Sequence, residues 1–431
     1  MYNIKILHIT PHLGGGVGSV LLNYLKFELV ESPQNIHSII TLDYANEKAI
    51  KLCNANHIKI YDKMRNKTNN VLELVKEADI ILIHFWNHPL IYEFILTNPL
   101  PESRIIFWAH TSGLYPPQSF QEKIVNYPDE FVFTTQISYD SHVIQNNINK
   151  NKFSTILSTG GVEKFLSLQQ QPHENFNIGY IGTVDYAKMH PDFINICNKI
   201  DIPNAKFIVV GGDKEKEILL EVENLGLSNK FQFTGKVLDV KPYLAKFDVF
   251  GYPLNPNHYG TAEQVLQEAM AAGIIPIVLN NKAECSLIKH FKNGLIANNT
   301  EEYCSYIKLL SQDQKLKNRL SKQCKEYANK NFSLKKLCKQ WNNTYKKVLT
   351  YPKKTHTYSE KRIWQPHEIF FEAICEYKEP FMLYLEKGII NDKLESFLTQ
   401  KEWQSKTKGT PKQYYNFMPD KHLERICNLY V

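Results

Sequence analysis

The stretch GTAEQVLQEAMAAGIIPIVL, residues 260–279, reads as a loop, a helix and a buried strand in direct succession. Thr261 is a good N-cap, and Gln264 three positions on completes a capping box. The helix is therefore expected to open just after Thr261, its free N–H groups facing the preceding loop in the arrangement that binds anions. Val265, Leu266, Ala269, Met270 and Ala272 recur at helical spacing, and Gly273 supplies the left-handed stop. Ile274 to Leu279 is short, apolar and β-rich, so the whole reads as one αβ unit of a parallel sheet.

The same alternation runs outward in both directions. Strand-like runs at Lys5 to Thr10, Ser38 to Leu42, Ile80 to His84 and Ile105 to Ala109 alternate with helical patterns, and Phe131 to Thr135 and Ser154 to Ser158 continue the series. The polar stretch Gln169-Gln170-Gln171-Pro172 reads as a hinge. A second series follows at Ile178 to Gly182, Lys206 to Val210, Lys230 to Thr234, Val249 to Tyr252 and Ile274 to Leu279. The expected organisation is α/β, with a Rossmann-like domain over 1–168, a second over 176–350, and a mainly helical, aromatic-rich extension over 351–431. That extension carries no motif, and its Trp and Phe side chains are expected to dock against the core.

The 431 residues suffice for two domains and an extension, and 43% hydrophobic with 22% charged residues is a balance that builds full cores. No leader is expected at MYNIKILHITPHLGGG, which has one early lysine and strand-like alternation. The apolar runs are too short to cross a bilayer, so a cytoplasmic protein is expected, peripheral at most on the inner face of the membrane. Eight cysteines are scattered without a C-x-x-C pair, as free thiols in a reducing compartment would be. A net charge of +7 favours anionic partners such as nucleotide diphosphates, lipid phosphates or an acidic leaflet. The basic clusters are short and lack interleaved aromatics, which excludes nucleic acid as the expected partner.

Several residues fall where chemistry is done in such sheets. The loop Gly14-Gly15-Gly16-Val17-Gly18 follows the first strand and is expected to open a helix at Ser19, letting backbone approach a ligand. Its spacing is not G-x-G-x-x-G, although Asp43 stands at the distance of a ribose ligand. His110 ends a strand in IIFWAHTSG and is expected to project from the sheet edge. His84, Trp86 and His88 surround the end of the preceding strand, either as an acceptor-binding wall or as packing. No D-x-D, G-x-S-x-G, Walker loop or H-E-x-x-H occurs, so no metal ligand set, hydrolase elbow or P-loop is read here.

Glu268-Ala269-Met270-Ala271, followed by Gly273, Pro276, Glu284 and Asn293-Gly294-Leu295, resembles the donor-binding half of family 4 glycosyltransferases of the GT-B fold. The resemblance implies two facing Rossmann-like domains, a nucleotide-sugar substrate (UDP- or GDP-sugar), no cofactor, and retaining transfer to a glycan or lipid-linked acceptor in bacterial surface polysaccharide assembly. It makes Gly16 and Gly18 part of a loop near donor and acceptor, His110 a donor-contacting histidine, and Lys236 and Val237 a turn against the base. In the family's Glu-x7-Glu pair, Glu268 matches the carboxylate on the ribose, while Gly260 stands where the first carboxylate belongs. Gly260, Thr261, Ala262 and Glu263 line the donor side. Glu263, five residues before Glu268, is expected about 140° away around the helix and so does not simply replace the missing carboxylate. It is either a donor ligand or a first-turn acid favoured by the helix dipole. In GYIGTVDYAKMHPDF, Lys188 is retained and Thr183 replaces the family's Arg, which makes Lys188 the expected mobile cation on the diphosphate. Two other readings stay open: a silent GT-B binding or scaffold protein, and a GT-B nucleotide-sugar epimerase.

Overall fold

The computed structural model describes residues 3–212, 215–360 and 363–430. Two parallel sheets organise the chain. The first runs β3(Lys59–Tyr61), β2(Asn35–Ala45), β1(Ile4–Leu13), β4(Ile80–Phe85), β6(Ile105–Ala109), β7(Glu130–Phe133), β8(Phe153–Thr155). The second runs β11(Phe231–Phe233), β10(Ala205–Val210), β9(Phe176–Ile181), β12(Val249–Tyr252), β13(Ile275–Leu279), β14(Leu295–Ala297). In both, the order reverses beside the first strand, at β1/β4 and β9/β12. In open parallel sheets the carboxyl ends at that reversal are where ligands bind.

The expected strands all form. The very short β3 and β14 lie at sheet edges, where three residues leave no pattern to read. The first helix, Gly15–Glu31, opens four residues earlier than its glycines imply. The glycines supply its first turn, and at Gly18 a Cβ would stand 2.9 Å from the carbonyl carbon of Leu13, so only glycine lets the helix leave the strand this tightly.

By contacts the chain divides into Met1–Gly160 with Leu337–Val431, and Gly161–Lys336. Residues 337–349, read from the sequence as the end of the second domain, thus belong with the first. The helix Leu334–Leu349 carries Trp341 onto Trp108 (ring centroids 4.9 Å apart) and sets the Tyr345 hydroxyl 3.1 Å from that of Tyr24. The extension beyond it is mainly helical, with one strand the sequence does not betray. β15(Lys354–His356) pairs antiparallel with β5(Leu100–Ser103). Arg104 donates to the Tyr351 carbonyl at 2.7 Å, and Tyr351 and Lys347 both reach the buried Glu130 carboxylate at 2.6 Å.

Ile369, Phe370, Phe381, Phe397, Trp403 and Tyr414 share one core with Phe85, Tyr92, Phe107 and Phe131 of the first sheet and its helices. Each such ring buries roughly 150–250 Å² at ~25 cal/mol per Å², so this shared core offsets part of the entropy cost of ordering the segment. Trp403 is fully buried, 4.6 Å from Phe397 and 5.5 Å from Phe381 between ring centroids. Trp403→Ala should therefore cost about 3–5 kcal/mol in urea unfolding. A loss below about 1 kcal/mol, the size of an ordinary surface change, would show that the extension is no part of this core.

Candidate functional site

At the carboxyl edge of the second sheet, a buried ionic network sits beside the β9/β12 reversal. Lys188, past β9, donates to both carboxylate oxygens of Glu263, at 2.9 and 2.8 Å, and Tyr252 at the end of β12 donates to the same carboxylate at 2.7 Å. The ammonium also lies 5.4 and 5.8 Å from the ring centroids of Tyr259 and Tyr252. His258 accepts the Gly260 N–H on Nδ1 at 2.9 Å, and its Nε2 lies 2.8 Å from Glu284. Burial opposes both charges of the pair, but Glu263 outweighs it and raises the pKa of Lys188, while Lys188 and then His258 lower that of Glu263. The pair is ionised.

This network overturns the expected helix start. The helix is Gln264–Ala271, and its N-cap is Glu263 in a left-handed conformation (φ 35°, ψ 69°) without a side-chain cap. Thr261 makes no capping box, and Thr261 and Ala262 stay in the buried loop, with Gln267 donating to the Ala262 carbonyl at 2.6 Å. The ion pair with Lys188 outcompetes a hydroxyl cap worth about 1 kcal/mol. Because Glu263 precedes the helix, the 140° separation from Glu268 does not apply. Its carboxylate lies against Gly260 so closely that a Cβ there would stand 1.7 Å from Oε1. Gly260 is the residue that admits it.

Glu268 is half-buried in the helix, and loss of solvent lifts its pKa to about 7; Lys164 works against that rise, while Asp239 adds to it. Asp239 follows the turn of Lys236 and Val237, where Lys236 is exposed and Val237 half-buried. Thr183 is half-buried, and its carbonyl accepts the Tyr180 hydroxyl at 2.9 Å.

The first sheet gathers the other candidates at its own carboxyl edge. Gly16 is exposed in the first turn of the opening helix, whereas Gly18 is buried. His110 is half-buried, its ring 4.7 Å from Trp108 and 6.2 Å from the half-buried Trp86. His84, proposed above as acceptor wall or packing, is fully buried, bonded on either side to His8 and His110. His88 is also buried; it caps the helix Pro89–Thr97 by accepting the Leu90 N–H and packs 4.8 Å from the Phe417 ring. Only Trp86 of these three keeps an accessible face.

The sequence reading missed His12, which accepts the Gly14 N–H at 3.2 Å and stacks on Tyr44 at 5.4 Å. It also missed Lys408 of the extension, whose charge lowers the pKa of His12 and His88 behind the larger effect of burial. Strand register alone would have shown His12 beside Tyr44. Among the described residues, the three-ligand group available to a metal is His367, Asp420 and His422 in the extension, with ligand atoms within 4.8 Å of one another. There Asp420 already accepts from His367 and caps the helix Lys421–Cys427. No described helix is long and apolar enough to cross a membrane.

Residues 164–329 match the family described as Glycosyl transferases group 1. A Bacillus subtilis strain 168 protein named as a glycosyltransferase, YtcC, is 22% identical over 317 residues, 65% of this chain and 76% of its own. Among solved structures, Anabaena HepE in complex with UDP-glucose is similar with a TM-score of 0.65 at 16% identity, over 80% of this chain and 100% of its own. The sucrose-phosphate synthase of Thermosynechococcus elongatus gives 0.60 at 15% identity, over 80% and 99%. The lipopolysaccharide outer core galactosyltransferase WaaB, in its apo form, gives 0.59 at 12%, again over 80% and 99%. The fold is GT-B, two Rossmann-like domains with a helical extension. The match to the group 1 glycosyl transferases lies within the second of these domains.

Removing one partner of a buried ion pair strands the other charge, at a cost of about 3–5 kcal/mol. Lys188→Ala should thus lose stability of that order in denaturant unfolding, and the double change Lys188→Met with Glu263→Gln should recover most of it. Equal losses in the single and double variants would show that the pair is not buried and ionised.

Proposed function

We propose that the protein is a retaining glycosyltransferase that moves a sugar from a UDP- or GDP-sugar to a glycan or lipid-linked acceptor in surface polysaccharide assembly. The observation that carries the reading is the β9/β12 reversal. Within the segment matching the group 1 family, one lysine and the carboxylates Glu263 and Glu268 stand at the carboxyl ends of a parallel sheet. Glu268 takes the ribose hydroxyls. Glu263, folded back on Gly260, serves as the first carboxylate of the pair that the sequence lacks by position. Lys188 binds the diphosphate by exchanging a carboxylate for a phosphate oxygen, so its charge is kept buried and ready until the donor arrives.

In the mechanism the family resemblance implies, the leaving diphosphate takes the acceptor proton on the face that the acceptor attacks. The protein then contributes position and preorganised charge. His110, Trp86 and the exposed Gly16 belong to the acceptor-side domain of this reading, and the basic net charge suits a lipid-linked acceptor at an anionic surface. A second reading, binding without turnover, draws on the same ion pair, because Lys188 is held by Glu263 and Thr183 stands in place of the family's Arg.

Thermal-shift screening with UDP-, GDP- and ADP-sugars, followed by proton NMR of the anomeric product, tests the proposal. A UDP- or GDP-sugar should stabilise the protein and be turned over with retention, in EDTA as well as in magnesium. An inverted product, or loss of activity on chelation restored by a divalent ion, defeats the mechanism; binding with no turnover favours the second reading.

Glu268 adds a pH signature. With its free-state pKa raised to about 7, it carries a proton below neutrality, while ribose hydroxyls prefer to donate to the carboxylate. Nucleotide binding should then release a proton and tighten as pH rises from 6 towards about 7, levelling off above. Calorimetry of Glu268→Gln should show weaker binding, by ~1.5–3 kcal/mol for a lost charged hydrogen bond, with that slope gone. A slope that survives in the variant assigns the proton elsewhere.

A further inference from the structure

Four histidines form a hydrogen-bonded row across the first sheet. His37 Nδ1 lies 2.9 Å from His8 Nε2, His8 Nδ1 lies 3.2 Å from His84 Nε2, and His84 Nδ1 lies 3.1 Å from His110 Nε2. The register explains it. His37 pairs with Ile6, His8 with Leu82 and His84 with Trp108, so each histidine stands two residues beyond the partner of the last. A step of two keeps every ring on the same face of the pleat, and the row climbs from near the amino end of β2 through β1 and β4 to the carboxyl end of β6. The rings are 5.2–5.4 Å apart between centroids. Trp108, Tyr24 and Tyr345 cover them.

A neutral imidazole has one donor and one acceptor nitrogen. Every link here joins Nδ1 to Nε2, so if the rings are neutral all three bonds run in one sense and all four rings share one tautomer. Burial favours neutrality, pulling His37 and His84 down to about 3 and lowering His8 and His110 well below the usual range. The two ends differ. His37 Nε2 is buried with no hydrogen-bond partner, whereas His110, half-buried at the sheet edge, has no partner on Nδ1 among the described residues. Reversing the row would need a proton to enter at the sealed His37 end, so the sense is set when the chain folds. An orphaned buried N–H is rarer in proteins than an orphaned acceptor. The row therefore runs with Nδ1–H donating at each step, and the orphan at His37 is a lone pair.

We propose that His37, His8 and His84 are positioning residues that hold His110 as a neutral, fixed hydrogen-bond donor, its Nδ1–H aimed at an oxygen of the bound ligand. Its role towards the ligand rests on the reading of this edge as part of a transferase site; its tautomer does not. In that setting His110 stabilises negative charge on a phosphate or sugar oxygen and does not take the acceptor's proton.

The test is nitrogen NMR of the full chain labelled with 15N-histidine, at pH 7. All four rings should show the Nδ1–H tautomer, with N–N couplings across the three hydrogen bonds. In His84→Phe, His110 should relax to a mixture of tautomers, and turnover of the UDP-sugar that serves as donor should fall several-fold in kcat with KM little changed. Wild-type His110 found as Nε2–H, as a cation, or as a tautomer mixture overturns the inference without recourse to any variant. So does a His84→Phe protein, folded by circular dichroism, in which His110 is unchanged. UDP-glucose and GDP-mannose that neither bind nor turn over, with the Nδ1–H signature intact, count against the proposed transferase and leave the row standing.

Discussion

The second domain is arranged around one buried ion pair. Lys188 sits between the two oxygens of Glu263 with Tyr252 donating to the same carboxylate, and several neighbouring features follow from accommodating it. Glu263 leaves helical geometry for a left-handed conformation, which delays the helix until Gln264 and leaves Thr261 without its cap. Residue 260 must lack a side chain, because the carboxylate occupies the space where one would begin. Two charges removed from water are tolerable only when each is fully met, and here the lysine's strongest partner is also the residue that shapes the loop. The glycine at 260 and the glutamate at 263 are thus one structural decision.

The first domain depends on a different constraint, the return of the chain. After crossing to the second sheet at Gly160 and back at Leu337, the polypeptide lays Trp341 and Tyr345 over the face of the first sheet that carries the histidine row. It then spends its last eighty residues completing the core on the helical side, where Phe370, Trp403 and Tyr414 join the cluster around Phe85. The extension is therefore built into the first domain. Lys408 brings its charge close enough to act on His12 and His88, so an element that secures the core also reaches the carboxyl edge of the first sheet. Neither the row nor its sealed end would exist without that cover, since an unpartnered imidazole nitrogen open to solvent would simply bind water.

Much was legible in the residues themselves. Periodicity located both strand series, the αβ unit at 260–279 and the aromatic extension, because a parallel strand buried on both faces and an amphipathic helix leave patterns that survive without context. The resemblance at Glu268 to Leu295 falls within the segment that matches the group 1 family. Local chemistry failed at the points where a distant partner intervened. Thr261 is a better cap than Glu263 by intrinsic preference, and it lost to an ammonium seventy-five residues earlier in the chain. His84 could be read as acceptor wall or as packing because nothing in the sequence shows that His8 and His110 lie on its two sides. β15 was hidden because its partner is a four-residue strand some two hundred and fifty residues away.

The sequence by itself determined the two parallel sheets, the carboxyl edges where ligands bind, and the residue types available there, since these depend on patterns within some twenty residues. Tertiary structure decided which of those residues are accessible. It tied Lys188 to Glu263, buried His84 and His88, left Trp86 and Gly16 accessible, and joined four histidines, scattered between positions 8 and 110, into one row. The physical reason is that a hydrogen bond or ion pair is settled by strand register and burial, to within a few tenths of an ångström. Those quantities arise only when segments remote in sequence are brought side by side.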